Sequence, residues 1–195
     1  MSRTTRDDVV AAAGRLFAER GYHGTSMRDL GRELGLLGSS LYSHVEGKQQ
    51  LLVEVVDRGA GFFQDAAEAA LASEGLAAAR LRALIAGHIG VVLDHRPEVR
   101  TYLNEASVLD GDLRDGVIAA RDRYEEAFRT VLKEGSADGS FRGDIDIAMA
   151  AIFILSILNA VDRWYREDGR MNRGELVDHL FLFVIKGLTE EGAQQ

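Results

Sequence analysis

Uninterrupted helical periodicity is the strongest constraint on what this chain can fold into. Pro97 is the only proline among 195 residues. Apolar–polar alternation of period two is scarce, and apolar residues instead recur three and four apart, the spacing that lines one face of an α-helix. The 21 glycines fall mostly between the periodic segments, where they end helices rather than break them. These features predict an all-α fold of about nine helices.

The first helix is expected over "TRDDVVAAAGRLFAERG". Thr5 can cap it with Asp8 as the box partner, and Gly21 ends it. Val9, Ala12, Ala13, Leu16 and Phe17 form its apolar stripe. The second begins at "TSMRDLGREL", with Ser26 as N-cap and Asp29 in its first turn. Gly31 lies on its apolar face, and Gly35 stops it as a left-handed residue. A short third helix, about residues 38–45, turns Leu41 and Val45 inward. The fourth starts near Lys48 and runs to about residue 73, with Leu51, Leu52, Val55 and Val56 buried. The fifth carries Leu81, Leu84, Ile85, His88, Ile89 and Val92 at helical spacing. The sixth runs from Pro97 to about Leu109, the seventh over roughly 112–137, the eighth over 144–168 and the ninth over 173–189. Residues 1–47 then read as a three-helix unit and 48–195 as a larger bundle. The join at Glu46–Gly47–Lys48 is too short to be a flexible linker.

Composition narrows the function. Apolar residues make up 46% of the chain, enough for a sizeable core. The longest apolar run, Ile147–Val161, falls short of the ~20 residues a membrane span needs, so it is expected to be a buried helix. The N-terminus lacks the features of a secretory signal, and a cytoplasmic location is expected. With no cysteine, disulfides, thiolate metal sites and cysteine nucleophiles are excluded. The net charge of −8 looks wrong for a polyanion binder, but residues 1–50 carry +1 and the remainder −9. That asymmetry would orient the chain on a polyanion, basic end first.

The stretch "GLLGSSLYSHVEGKQQLL" carries the sharpest functional signal. Helix, glycine turn, short helix is helix-turn-helix geometry, whose second helix enters the major groove. Such a helix needs small residues for close approach and donors for phosphates. Gly38, Ser39 and Ser40 meet the first need; Tyr42, His44 and Lys48 meet the second. Lys48 also opens the next helix, where free amides attract anions.

The segment "AAGRLFAERGYHGTSMRDLGRELGLLGSSLYSHVEGKQQLL" resembles the DNA-binding domain of the TetR family of bacterial transcription regulators. "LFAERGYHGTS", "MRDLGRELG" and "LYSHVEGKQQLL" carry the likeness, which covers residues 9–52. The resemblance implies a homodimeric repressor, helices one to three on duplex DNA and a ligand-binding bundle behind them. DNA contacts are expected from Arg3, Thr25, Ser26, Arg28, Ser39, Ser40, Tyr42, His44 and Lys48. Gly38 stands where the family usually has a polar DNA-touching residue, Leu37 where a small polar one is common, and Val45 where an aromatic is. Readout is therefore expected to lean on Ser39, Ser40 and an N-terminal arm in which Arg3, with Arg6 as a second candidate, reaches the minor groove.

"IAMAAIFILSILNAV" and "LVDHLFLFVIKGL" are apolar on every side, so one face of each needs cover from outside its own bundle. The family resemblance implies that cover is a second copy, through helices eight and nine. The end of helix eight, "VDRWYREDGRM", resembles regulators of this family that sense acyl-coenzyme A thioesters. An apolar bundle with arginines at its mouth suits such an amphiphile. The ligand residues expected are His88, Tyr124, Asn159, Arg163, Trp164, Tyr165 and Arg166. A drug or a free lipid is the alternative effector. A helical binding or enzyme module without DNA function is the alternative class. Against an enzyme, there is no Glu-x-x-His pair for a di-iron bundle and no phosphate-binding loop ending in Lys-Ser/Thr. The five histidines form no ligand cluster, and no metal or other cofactor is expected.

Overall fold

A computed structural model of the chain describes residues 5–36, 41–43 and 45–189. Among these there are eight α-helices, one 3-10 turn and no strand. The helices are α1 (Arg6–Arg20), α2 (Met27–Glu33), α3 (Lys48–Leu71), α4 (Ala77–Asp94), α5 (Arg96–Asn104), α6 (Gly111–Asp138), α7 (Ile147–Trp164) and α8 (Arg173–Leu188). Helices α3 to α8 are the fourth to ninth expected from the sequence. Half of the expected third helix, Gly38, Ser39, Ser40 and His44, and Leu37 before it, lie outside the described residues; Leu41 and Val45 are buried as expected.

The chain divides into two compact units: the described residues of Met1–Phe62 with His95–Ala120, and of Phe63–Asp94 with Arg121–Gln195. Helices α3 and α6 contribute residues to both. By packing, then, α5 and the starts of α3 and α6 go with α1 and α2, so the compact units do not divide at the expected boundary of 47/48.

In the first unit, α1 begins on a complete capping box, with Thr5 and Asp8 each bonding the other's backbone N–H. Ser26 and Asp29 repeat the arrangement for α2. Such a cap stabilises a helix start because its first amides have no partner inside the helix. Gly35 follows α2 at φ +65°, a conformation that costs a side chain strain and glycine nothing. The Leu36 N–H donates back to Gly31 O at 2.8 Å, closing the turn. Helix α1 packs on α5, and Thr101 links them, donating to Pro97 O at 2.9 Å and reaching Gly14 O at 3.4 Å. A Cβ at Gly59 would stand 2.9 Å from Glu98 O and 3.0 Å from Tyr102 Cβ. The glycine is what lets α3 and α5 touch. Leu16, Phe17, Leu30, Leu51, Leu52, Val55 and Val56 fill the core, each large side chain contributing about 1.5–3 kcal/mol by leaving water.

In the second unit, α4 packs against α7 and α8. Leu81, Leu84, Ile85, Ile89 and Val92 of α4 meet this core together with Phe128, Val131 and Leu132 of α6 and Ile154, Leu158 and Val161 of α7, all buried. Surface ion pairs join α4 to the first half of α8, Arg82 with Asp178 and Arg173 with Asp94.

Three expectations about elements need correction. The sixth helix stops at Asn104, and residues 106–108 tighten into a 3-10 turn with Val108 N–H donating to Glu105 O. The eighth is shorter than 144–168: Asp146 caps its start, and Tyr165 is already extended at ψ 136°. Finally, the apolar run in α7 is not simply buried. The helix is long and apolar enough to cross a membrane by composition, with mean hydropathy 1.6, yet only 28% of it is buried within the chain.

Candidate functional site

The α1–α2 turn is held from three directions. The Glu105 carboxylate accepts the Tyr22 N–H at 3.0 Å. The Thr25 hydroxyl points inward to Leu16 O and Gly21 O, at 3.2 and 3.0 Å. The Lys48 ammonium donates to Tyr22 O and Thr25 O, both at 2.9 Å, and lies 4.1 Å from the Tyr22 ring centroid.

These contacts change the reading of two DNA candidates. Thr25 is 2% exposed, so its side chain holds the turn and does not reach a ligand surface. Lys48 braces the turn with two of its three N–H donors, which leaves one for an outside anion. Ser26 is exposed, but its hydroxyl serves the α2 cap through Asp29. The bonds from Ser26 hold the Asp29 carboxyl below its usual range, with Arg32 and Arg20 adding charge attraction. Arg28 and Tyr42 are exposed, Tyr42 by 57%. Arg3, Ser39, Ser40 and His44 lie outside the described residues.

The ligand candidates separate into a buried pair and an exposed group. His88 on α4 is 1% exposed. Its Nδ1 lies 3.0 Å from the Tyr124 hydroxyl of α6, and Nε2 is buried with no hydrogen-bond partner. Burial lowers the imidazole pKa to about 3, so the ring is neutral at physiological pH. Phe63 lies 4.9 Å from His88 and 5.1 Å from Tyr124, and Phe128 5.6 Å from Tyr124. Phe63 and Phe128 complete this aromatic nest. These four residues come from three helices and meet only in the fold, so no local signal in the sequence connects Phe63 or Phe128 with His88.

Where α7 ends, Arg163, Trp164 and Arg166 are exposed and Asn159 is half-buried. The Arg166 guanidinium donates to Tyr165 O at 3.1 Å. Tyr165 behaves differently from its neighbours: its ring is buried, and its hydroxyl donates to Met171 O at 3.3 Å. It closes the loop after α7. Trp164, which could have been plain core, is half-exposed. Among the described residues, no group of three His, Asp or Glu side chains is placed to hold a metal ion.

A third feature lies on α7 and α8. Met149, Ile152, Phe153, Leu182 and Phe183 are exposed, Phe153 by 58% and Phe183 by 68%. Beside them, Met149, Phe153, Ile157 and Phe183 line an open apolar groove of about 710 Å³ that reaches Arg142. Contiguous exposed apolar surface of this kind marks an interaction site.

A helix-turn-helix segment joined to a helical bundle with an unpaired apolar face defines a one-component regulator architecture. The chain belongs to the TetR family of bacterial transcription regulators. Residues 9–55 match the family "Bacterial regulatory proteins, tetR family", and residues 74–188 match "Tetracyclin repressor-like, C-terminal domain". It is similar to the HTH-type transcriptional repressor KstR2 of Mycolicibacterium smegmatis, 29% identical over 95% of this chain and 91% of that protein. Among solved structures, it resembles the TetR family transcriptional regulator PfmR from Thermus thermophilus, at 33% identity and TM-score 0.84 over 93% of this chain and 99% of that one. It also resembles AibR in complex with isovaleryl coenzyme A and operator DNA, at 25% identity and TM-score 0.83 over 91% and 96% of the two chains. The relatives are transcription regulators.

Proposed function

We propose that this regulator is a cytoplasmic homodimeric repressor that leaves a palindromic operator when an acyl-coenzyme A thioester enters its bundle. Residues 1–47 read the DNA, and residues 48–195 take up the ligand and form the dimer. The observation that carries the thioester reading is the likeness over nearly the whole chain to AibR, a relative solved with isovaleryl coenzyme A and operator DNA. In this chain Arg163 and Arg166 stand beside Trp164 at the end of α7, where guanidinium groups suit phosphates. The buried His88–Tyr124 nest suits an apolar acyl part.

The proposed dimer pairs α7 and α8 with the same helices of a second copy. Its support is the exposed row of Ile152, Phe153, Leu182 and Phe183, which a two-fold symmetric partner would cover with its own identical row. Release follows from helix continuity. Helix α3 is one piece from Lys48 to Leu71, and Lys48 ties its start to the α1–α2 turn. A shift of α4, α6 and α7 around a ligand would tilt α3 and change the spacing of the two reading heads. Half-sites on one DNA face are about 34 Å apart, so a few ångströms of mismatch lose contacts on one side. A coupling of ~1–3 kcal/mol is sufficient.

A mobility-shift series with medium- and long-chain acyl, aromatic and steroid thioesters tests this. Release by at least one, weakened in Arg163→Ala, is the expected result. Release by none, with Arg163→Ala still answering normally to a drug or free lipid, removes the thioester reading and leaves the regulator.

A further inference from the structure

Among the described residues of the second unit, one buried polar ring atom has no hydrogen-bond partner. His88 Nε2 is buried and unpartnered, while Nδ1 on the same ring is engaged by the Tyr124 hydroxyl at 3.0 Å. Buried polar atoms in native proteins nearly always find a partner, protein or otherwise. The surroundings are aromatic, with Phe63 4.9 Å from the imidazole and Phe128 beside Tyr124.

We propose that the His88–Tyr124 pair is the polar anchor of the effector site, offering Nε2 to one uncharged oxygen, a carbonyl or hydroxyl, on an otherwise apolar ligand body and refusing a carboxylate there. The proposal rests on the reading of this bundle as an effector site. The pair is suited to the task because its proton can sit in two ways. When the tyrosine hydroxyl donates to Nδ1, Nε2–H is a donor for a carbonyl. When Nδ1–H donates to the tyrosine oxygen, Nε2 accepts from a hydroxyl. Neither arrangement needs a net charge, which agrees with the strong burial of the ring and its lowered pKa. A carboxylate at the same place would be a buried anion facing a neutral ring, and an uncompensated buried charge is strongly disfavoured. The anchor therefore selects for an oxygen on the apolar body itself and against a free acid end.

The probes are 2-octanone, 1-octanol, ionised octanoate and n-octane, titrated calorimetrically into the full chain and into His88→Phe and Tyr124→Phe, with the His88 ring nitrogens followed by 15N resonance. The expected result is that 2-octanone and 1-octanol bind the unaltered chain ~10-fold more tightly than His88→Phe. Octane binding should be equal or stronger in the variant, octanoate should be the weakest probe, and the Nε2 resonance should move with the oxygen-bearing probes. Tyr124→Phe removes a single hydroxyl and keeps the ring. It should weaken ketone and alcohol binding while leaving octane unchanged, which keeps the proposal testable if His88→Phe does not fold. Binding of 2-octanone that neither substitution alters, with octane also bound, overturns the anchor and leaves the apolar site. Octanoate matching 2-octanone overturns the refusal of a carboxylate. If no probe binds and the resonance stays still, both the anchor and the effector-site reading fall.

Discussion

The Lys48 ammonium donates to the Tyr22 carbonyl at 2.9 Å and lies 4.1 Å above that residue's own ring. One side chain thus ties the first turn of α3 to the turn between α1 and α2. The expected effect of Lys48→Ala is twofold. Losing two charge-assisted hydrogen bonds and the ring contact should cost about 1–3 kcal/mol of stability, seen as a lower thermal midpoint. DNA binding should weaken for all sequences alike, with the salt slope lowered by ~1 through loss of the remaining donor. Arg28→Ala should lower the slope similarly without moving the midpoint. A Lys48→Ala protein with an unchanged midpoint would remove the brace; one with an unchanged slope would remove the phosphate contact.

Phe183 tests the dimer. Its side chain is 68% exposed on α8, so Phe183→Asp should leave the chain folded while placing a charge where the second copy would sit. The dimer Kd should rise ~30- to 700-fold, corresponding to roughly 2–4 kcal/mol, read by sedimentation. Unchanged association, with unchanged operator affinity, would move the interface elsewhere.

His88 makes stability depend on pH in a defined direction. Its folded pKa is lowered to about 3 from 6.5, so between those values the unfolded chain binds the extra proton. Stability therefore rises with pH across this window and is lost as pH falls below about 6.5, at up to about 1.4 kcal/mol per unit. Denaturant midpoints between pH 4.5 and 6.5 should carry this slope, and His88→Phe should flatten it. Equal slopes in both proteins would mean the ring is not held neutral by burial.

Much of the fold was readable from local signals. Thr5 with Asp8 and Ser26 with Asp29 announced their helix starts because a capping box needs only residues three apart. Gly35 announced a left-handed turn because few other residues tolerate one. The apolar spacing of α1, α3 and α4 was equally local. What stayed hidden depends on distant partners. Nothing within a few residues of Glu105 indicates that its carboxylate will cap the Tyr22 amide, or that the sixth helix will end there. Thr25 looked like a surface residue because a threonine before a helix start often is one, and only the packing of α1 turned its hydroxyl inward. Tyr165 sat in a polar ending and read as ligand-facing, yet its ring is buried. The apolar surround of α7 was legible; the half left uncovered became visible only once α4 had taken the other half.

As proposed, a pair of these chains recognises a specific duplex. Selection from genomic fragments, followed by anisotropy titration of the chosen duplex against random DNA at fixed salt, tests it most directly. The expected result is two chains per duplex, a roughly palindromic site, and affinity at least ~10³-fold above random sequence. Equal affinity for every duplex, or one chain saturating the selected site, would contradict it.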